Sequence, residues 1–141
     1  MKILFRDFKY SVVCSIAYCI PLFFLFKSDK YSNLYLLALG NICFAFLLIL
    51  SNIFLNKKKD NLQDMLKPAL KIEVVSILIS SIIAVSFIFI FNKNDIVRRA
   101  PANTLGLYSM LPLSVIFGNF ILGSFSIFLW AIDSKKREDN N

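Results

Sequence analysis

Histidine is missing from all 141 residues. Nucleophile activation by an imidazole, His-ligated zinc and imidazole proton relays are therefore excluded within this chain. Charge is also scarce: Asp, Glu, Lys and Arg make up 18% of the residues and gather in short clusters between apolar runs. The surface of a water-soluble domain instead carries charge along every element. Glycine-rich phosphate loops, phosphoryl-transfer signatures and the paired membrane aspartates of lipid-modifying enzymes are absent, so neither enzymatic chemistry nor a cofactor is expected. The three cysteines, Cys14, Cys19 and Cys43, all lie in apolar segments. Cys14 and Cys19 are badly spaced on a helix for a bridge, and all three read as small packing residues.

What remains is strongly hydrophobic. Apolar residues make up 57% of the chain and aromatics 15%, with a mean hydropathy of +0.67, against roughly 45–50% apolar content in a soluble domain. This predicts a polytopic membrane protein. Backbone groups in hydrocarbon must be bonded internally, which leaves helices or closed barrels, and the alternation of period two that a barrel needs is missing. Uncharged runs place spans at residues 10–26, 34–55, 72–91 and 107–131. The first run comes after Lys2, Arg6 and Lys9 as a secretory leader would, but it has no small-residue exit motif. Tyr18 also stands where a lipoprotein site before Cys19 would need a small residue, so the run reads as the first helix. Pro68 suits the first turn leading into the third span, and Trp130 suits the headgroup region at the end of the fourth. The expected fold is all-α: four transmembrane helices in an antiparallel bundle, forming a single domain over residues 1–141, with 133–141 a short charged tail.

Basic residues in the connections set the orientation. Eleven of the 16 fall on the side of the termini and of the 57–71 connection; Lys27, Lys30, Lys93, Arg98 and Arg99 fall opposite. Both termini are thus expected in the cytoplasm, and the lysine- and asparagine-rich bias of so small a chain suits a bacterial inner membrane. Lys57, Lys58, Lys59, Arg98 and Arg99 are the expected contacts to lipid headgroups. The net charge of +7 is read as a topology and lipid signal, and no nucleic-acid partner is expected.

Two segments resemble each other. Gly40-Asn41 is followed by Ala45, and Gly118-Asn119 by Gly123, at the same spacing, in helices expected to run the same way. A duplicated helical hairpin would produce this pattern. Gly40, Asn41, Gly118, Asn119 and Gly123 then either pack helices closely or line a solute path. Stripes of small residues, Ser11-Ser15-Cys19 and Ser76-Ser80-Ala84, read as helix contacts, as does the inward face carrying Asn41, Ala45 and Asn52. Glu73 is expected at the cytoplasmic entry of the third span as a solvated carboxylate, with Lys71 close by. Residues 57–71 are read as a connector carrying a short amphipathic surface helix.

The length is similar to that of small four-helix multidrug exporters, but residues 10–26 lack an acid. Abundant phenylalanine and membrane asparagines are shared with small fluoride channels, whose glycine-rich amino-terminal pattern is missing. The expected function is therefore a non-enzymatic structural or accessory subunit that packs, in the lipid bilayer, with copies of itself or with a larger membrane partner. The alternative is an oligomeric channel or carrier for a neutral or anionic solute. Reporter fusions check the orientation: a fusion at Lys135 is expected to report from the cytoplasm, and an external signal contradicts it.

Overall fold

A computed structural model describes residues 2–55, 62–91, 93–98 and 107–138. Those residues are helical apart from short turns. Helix α1 spans Lys2–Ser28 and a 3-10 turn, Tyr31–Asn33, leads to α2, Tyr35–Leu55. Helix α3 spans Leu62–Ile90, and α4 is the short turn Asp95–Arg98. The last part of the chain is a single rod in three sections: α5 (Leu107–Pro112), a π-helical segment (Leu113–Gly118) and α6 (Asn119–Glu138). Among the described residues, four helices are long and apolar enough to cross a membrane.

Several boundaries differ from those read in the sequence. α1 begins at Lys2, well before residue 10, because the charged residues of its first turns favour helix as much as the apolar run does. Residues 62–71, expected in a connector, are the opening turns of α3. Their sequence, Leu-Gln-Asp-Met-Leu-Lys-Pro-Ala-Leu-Lys, is made almost wholly of good helix formers, and Pro68 sits inside the helix instead of starting it. At about 1.5 Å per residue the 29-residue α3 is roughly 43 Å long. α6 continues to Glu138 and absorbs most of the expected tail. Lys57, Lys58, Lys59 and Arg99 lie outside the described residues, and Arg98 closes α4.

Serines join α1 to α3. Ser11 Oγ donates to the Ile72 carbonyl at 3.3 Å and Ser15 Oγ to the Ser76 carbonyl at 2.9 Å, both across 61 residues of sequence. The constant offset means that α1 and α3 run in the same direction. Each hydroxyl also lies within reach of its own helix, at the Asp7 and Ser11 carbonyls, so nothing is left unpaired if the helices separate. Bonds of this kind contribute only about 0.6 kcal/mol each. Close approach matters more. A Cβ at Gly40 would lie 3.1 Å from the Tyr18 backbone carbonyl and from its ring, so α2 packs directly on the backbone of α1.

The interior holds aromatic rings at one end and most of its buried polar groups away from them. At one end Phe26, fully buried, stacks on Phe91 with ring centroids 5.5 Å apart and meets Phe87 edge-on at 5.8 Å. Asn94 Nδ2 donates to the Phe26 carbonyl and the Asp95 N–H to Asp29 Oδ2, at 3.0 Å, which ties the chain after α3 to the end of α1. Toward the other end buried polar side chains, Asp7, Ser11, Ser15, Asn52, Glu73 and Ser76, lie among buried apolar ones such as Leu48, Met65, Ile72 and Ile127. Large apolar side chains such as Phe46, Ile82, Phe89 and Phe125 are exposed, as a lipid-facing surface requires. Replacement of Gly40 by Leu is expected to destabilise the bundle by about 1–3 kcal/mol through overpacking against Tyr18, read as a shift in the unfolding midpoint in mixed micelles; an unchanged midpoint contradicts the close α1–α2 contact.

Candidate functional site

Polar side chains of α2 and α3 come to rest on glycines of the last rod. Gly118 ends the π-helical segment, and a Cβ there would lie 2.6 Å from Asn41 Nδ2. Gly123 lies farther along α6, and a Cβ there would lie 2.5 Å from Glu73 Oε1 and 3.2 Å from a methyl of Leu48. Both contacts need the missing side chain. Asn41 therefore reaches across to the second Gly-Asn pair, whereas Asn119 does not return the contact, because Gly40 is occupied by Tyr18. The two pairs are close in space but are not used equivalently.

The Asn41 seat is a closed trio. Tyr18 donates its hydroxyl to Ser114 Oγ at 3.1 Å, and Asn41 Nδ2 donates to the same oxygen at 3.2 Å. Ser114 belongs to the π-helical segment, where the Asn119 N–H reaches the carbonyls of both Ser114 and Ile116. A π turn widens the helix and shifts the angular phase of the residues after it, and such turns are frequent at functional sites. Here Ser114, Gly118, Asn119 and Gly123 all face the other helices.

The Glu73 seat corrects the sequence reading. Glu73 is 0% exposed and is not a solvated interfacial carboxylate. It lies within the candidate span of residues 63–90, and about 26 Å of helix separates it from Ile90, short of the roughly 30 Å of a hydrocarbon core. Ser124 Oγ lies 3.0 Å from Glu73 Oε1 and 3.2 Å from Oε2, and donates to the carboxylate. Lys71, expected beside it, instead pairs with Asp7 at 3.6 Å. Asp7 also lies 4.0 Å from Arg6 Nε, whereas Glu73 has no cation within ion-pair distance among the described residues.

The reason is helical phase. Glu73, Ser76, Ser80 and Ala84 succeed one another at spacings of three and four, so Glu73 belongs to the small-residue stripe that faces the other helices. Ser76, Ser80 and Ala84 are all buried, as are Ser11, Ser15 and Cys19 on α1. Lys71, two residues before Glu73, points elsewhere. This stripe is the signal that the sequence carries for a buried Glu73. A connector ending at residue 71 conceals it, because it puts Glu73 at the mouth of the span instead of some three turns into the helix.

Asn119 is wholly buried, and neither its oxygen nor its nitrogen has a hydrogen-bond partner. Asn52, also fully buried, donates Nδ2 to the Leu48 carbonyl at 2.8 Å but leaves Oδ1 unpaired, and Ser80 Oγ is unpaired as well. Native interiors leave few such groups. The interior thus holds a carboxylate, two amides and several hydroxyls, some of them without partners.

No family model, curated protein or solved structure matches the chain.

A double-mutant cycle on Glu73→Gln and Ser124→Ala is expected to give a coupling of about 1 kcal/mol in unfolding free energy, as for a buried hydrogen bond to a carboxylate; additive effects of the two substitutions contradict the seat. Gly123→Leu is expected to destabilise the isolated protomer, since the glycine faces Glu73 of its own chain.

Proposed function

We propose that the chain is a non-enzymatic, multi-pass carrier or channel component for a proton or small monovalent cation, working as an oligomer or within a larger membrane complex. Its setting is a bacterial plasma membrane, with the helices alternating as an antiparallel bundle and both termini in the cytoplasm. The two hairpins repeat one up-and-down unit whose interior contacts have diverged. The observation that carries the reading is the burial of Glu73 within a span, bonded to Ser124 and without a cationic partner among the described residues.

An ionised carboxylate taken out of water costs several kcal/mol unless something balances it. Ionisable groups inside membrane spans are rare and mark ion or substrate pathways. A negative or neutralised carboxylate repels or ignores an anion, so the neutral or anionic solute inferred from the two asparagines alone gives way to a cation. The accessory-subunit reading drew on small-residue faces, buried asparagines, short loops and the absence of catalytic groups; of these, the faces of Gly40, Gly118 and Gly123 are filled from within the chain.

In this reading access to Glu73 is from the end opposite the aromatic cluster of Phe26, Phe87 and Phe91. Asp7 lies nearer than Glu73 to the end that carries the amino terminus, and Ser11 lies at the level of Glu73, bonded to the Ile72 carbonyl, while Phe26, Phe87 and Phe91 pack together at the other end. In the proposed orientation the polar end faces the cytoplasm. The other charged group on a buried face is Asp7, already paired with Lys71.

Reconstitution into liposomes tests this. Cation or proton flux down an imposed gradient is expected with the unaltered protein, a loss of at least about tenfold with Glu73→Gln, and no change with Asp133→Asn on the exposed surface of α6. Equal flux with and without Glu73, or no flux above that of empty vesicles, overturns the reading.

A further inference from the structure

The two seats on the last rod are kept in phase by its π-helical segment. Leu111, Val115, Asn119, Gly123, Ile127 and Ala131 are all buried, at a constant spacing of four. In an unbroken α-helix a row spaced by four drifts by about 40° at each step and leaves the interface. The π-helical segment, Leu113–Gly118, fits more residues into its turn and takes part of that drift back. It lets Ser114, which receives Tyr18 and Asn41, and Ser124, which meets Glu73, both reach their partners.

Four features mark this segment as a turn between two states. The Asn119 N–H reaches the Ile116 and Ser114 carbonyls, three and five residues back, in place of the Val115 carbonyl that an α-helix would use. Pro112, just before the segment, has no N–H to donate. Val115 and Ile116 border an apolar cleft of about 90 Å³ against Ser81, Ala84 and Val85 of α3, which leaves their side chains room to turn. The Asn119 side chain, wholly buried where the segment ends, has no hydrogen-bond partner in this arrangement.

We infer that the π-helical segment is a switch that couples the trio of Tyr18, Asn41 and Ser114 to the Glu73 seat. Tightening it to an α turn rotates one flank of the rod against the other by up to about 100°. Ser114 and Ser124 then cannot both keep their partners. With both seats filled the π form is held; with either one vacated, the segment relaxes and the other seat alone fixes the rod. A change at Glu73 thereby reaches the trio, about 15 Å away along the helix. The coupling goes beyond the transport reading, since it holds whether or not an ion moves.

The test is a double-mutant cycle on Ser114→Ala and Ser124→Ala, read as unfolding equilibria of the purified full chain in mixed micelles. Sites this far apart with no shared partner are ordinarily additive in free energy. In a switch, either single variant lets the segment relax onto the remaining seat, and the double variant has no seat left to relax onto. The double variant is therefore expected to be destabilised at least about fivefold beyond the product of the two single effects, whereas Ser15→Ala combined with Ser124→Ala is expected to give the simple product. A simple product for Ser114 and Ser124, or an equal excess with Ser15, overturns the coupling. Should the double variant fail to fold, relaxation dispersion on the unaltered protein reads the same motion: a common microsecond-to-millisecond exchange at the Val115, Asn119 and Ser124 amides supports the switch, and flat profiles at all three overturn it. Neither measurement reads flux. Additive effects remove the coupling and leave the transport reading standing, and a protein that moves no ion leaves the coupling standing.

Discussion

In hydrocarbon, every polar side chain must find its partner inside the protein, and this constraint organises the bundle. Apolar surface gives no drive for helices to associate in lipid, so contact depends on close packing and on bonds between helices. The rod formed by α5, the π-helical segment and α6 meets both needs with glycine. Gly118 and Gly123 take away side chains at the points where Asn41 and Glu73 arrive, and Ser114 and Ser124 supply hydroxyls beside them. Gly40 does the same for Tyr18 on α1. These glycines provide close approach and not unusual backbone angles, since positive φ among the described residues occurs at Asp29 alone.

The same constraint separates the two ends. Near Phe26 the interior is closed by aromatic rings in edge-to-face and stacked contact, a geometry that adds to their packing. Toward Asp7 serine, asparagine and glutamate are set among buried leucine and isoleucine, and the ion pair between Asp7 and Lys71 lies at the margin. Between the ends stands the trio of Tyr18, Asn41 and Ser114, fully bonded within itself. A fully bonded polar group serves packing. Glu73 and Asn119 are different, because one lacks a counter-charge among the described residues and the other lacks any hydrogen-bond partner.

Much of this was legible in the sequence. Long uncharged runs located four helices, because hydrocarbon demands them. The stripes Ser11-Ser15-Cys19 and Ser76-Ser80-Ala84 identified faces that are indeed buried. The two Gly-Asn pairs lie at helix contacts, but their partners could not be read, since a spacing of four says which face a residue occupies and nothing about which helix meets it. Glu73 was misplaced because hydropathy marks where charge stops, whereas a helix does not: Leu62 to Lys71 continues in register with the span, and the charge on Asp64 and Lys67 hid the continuity. The π-helical segment left no trace beyond Pro112.

The position of the Glu73 carboxylate supports everything proposed for this protein, and magic-angle-spinning NMR in lipid bilayers measures it directly. The chain has only two glutamates, Glu73 and Glu138, and four glycines, so labelling the glutamate carboxyl carbon and the glycine Cα gives a spectrum simple enough to assign with Glu73→Gln. The expected result is a through-space cross-peak between the Glu73 carboxyl and the Cα of Gly123, lost when Gly123 is replaced by alanine. A Glu73 carboxyl that shows no glycine contact, and whose chemical shift follows the pH of the surrounding buffer, would place it in water and contradict the account.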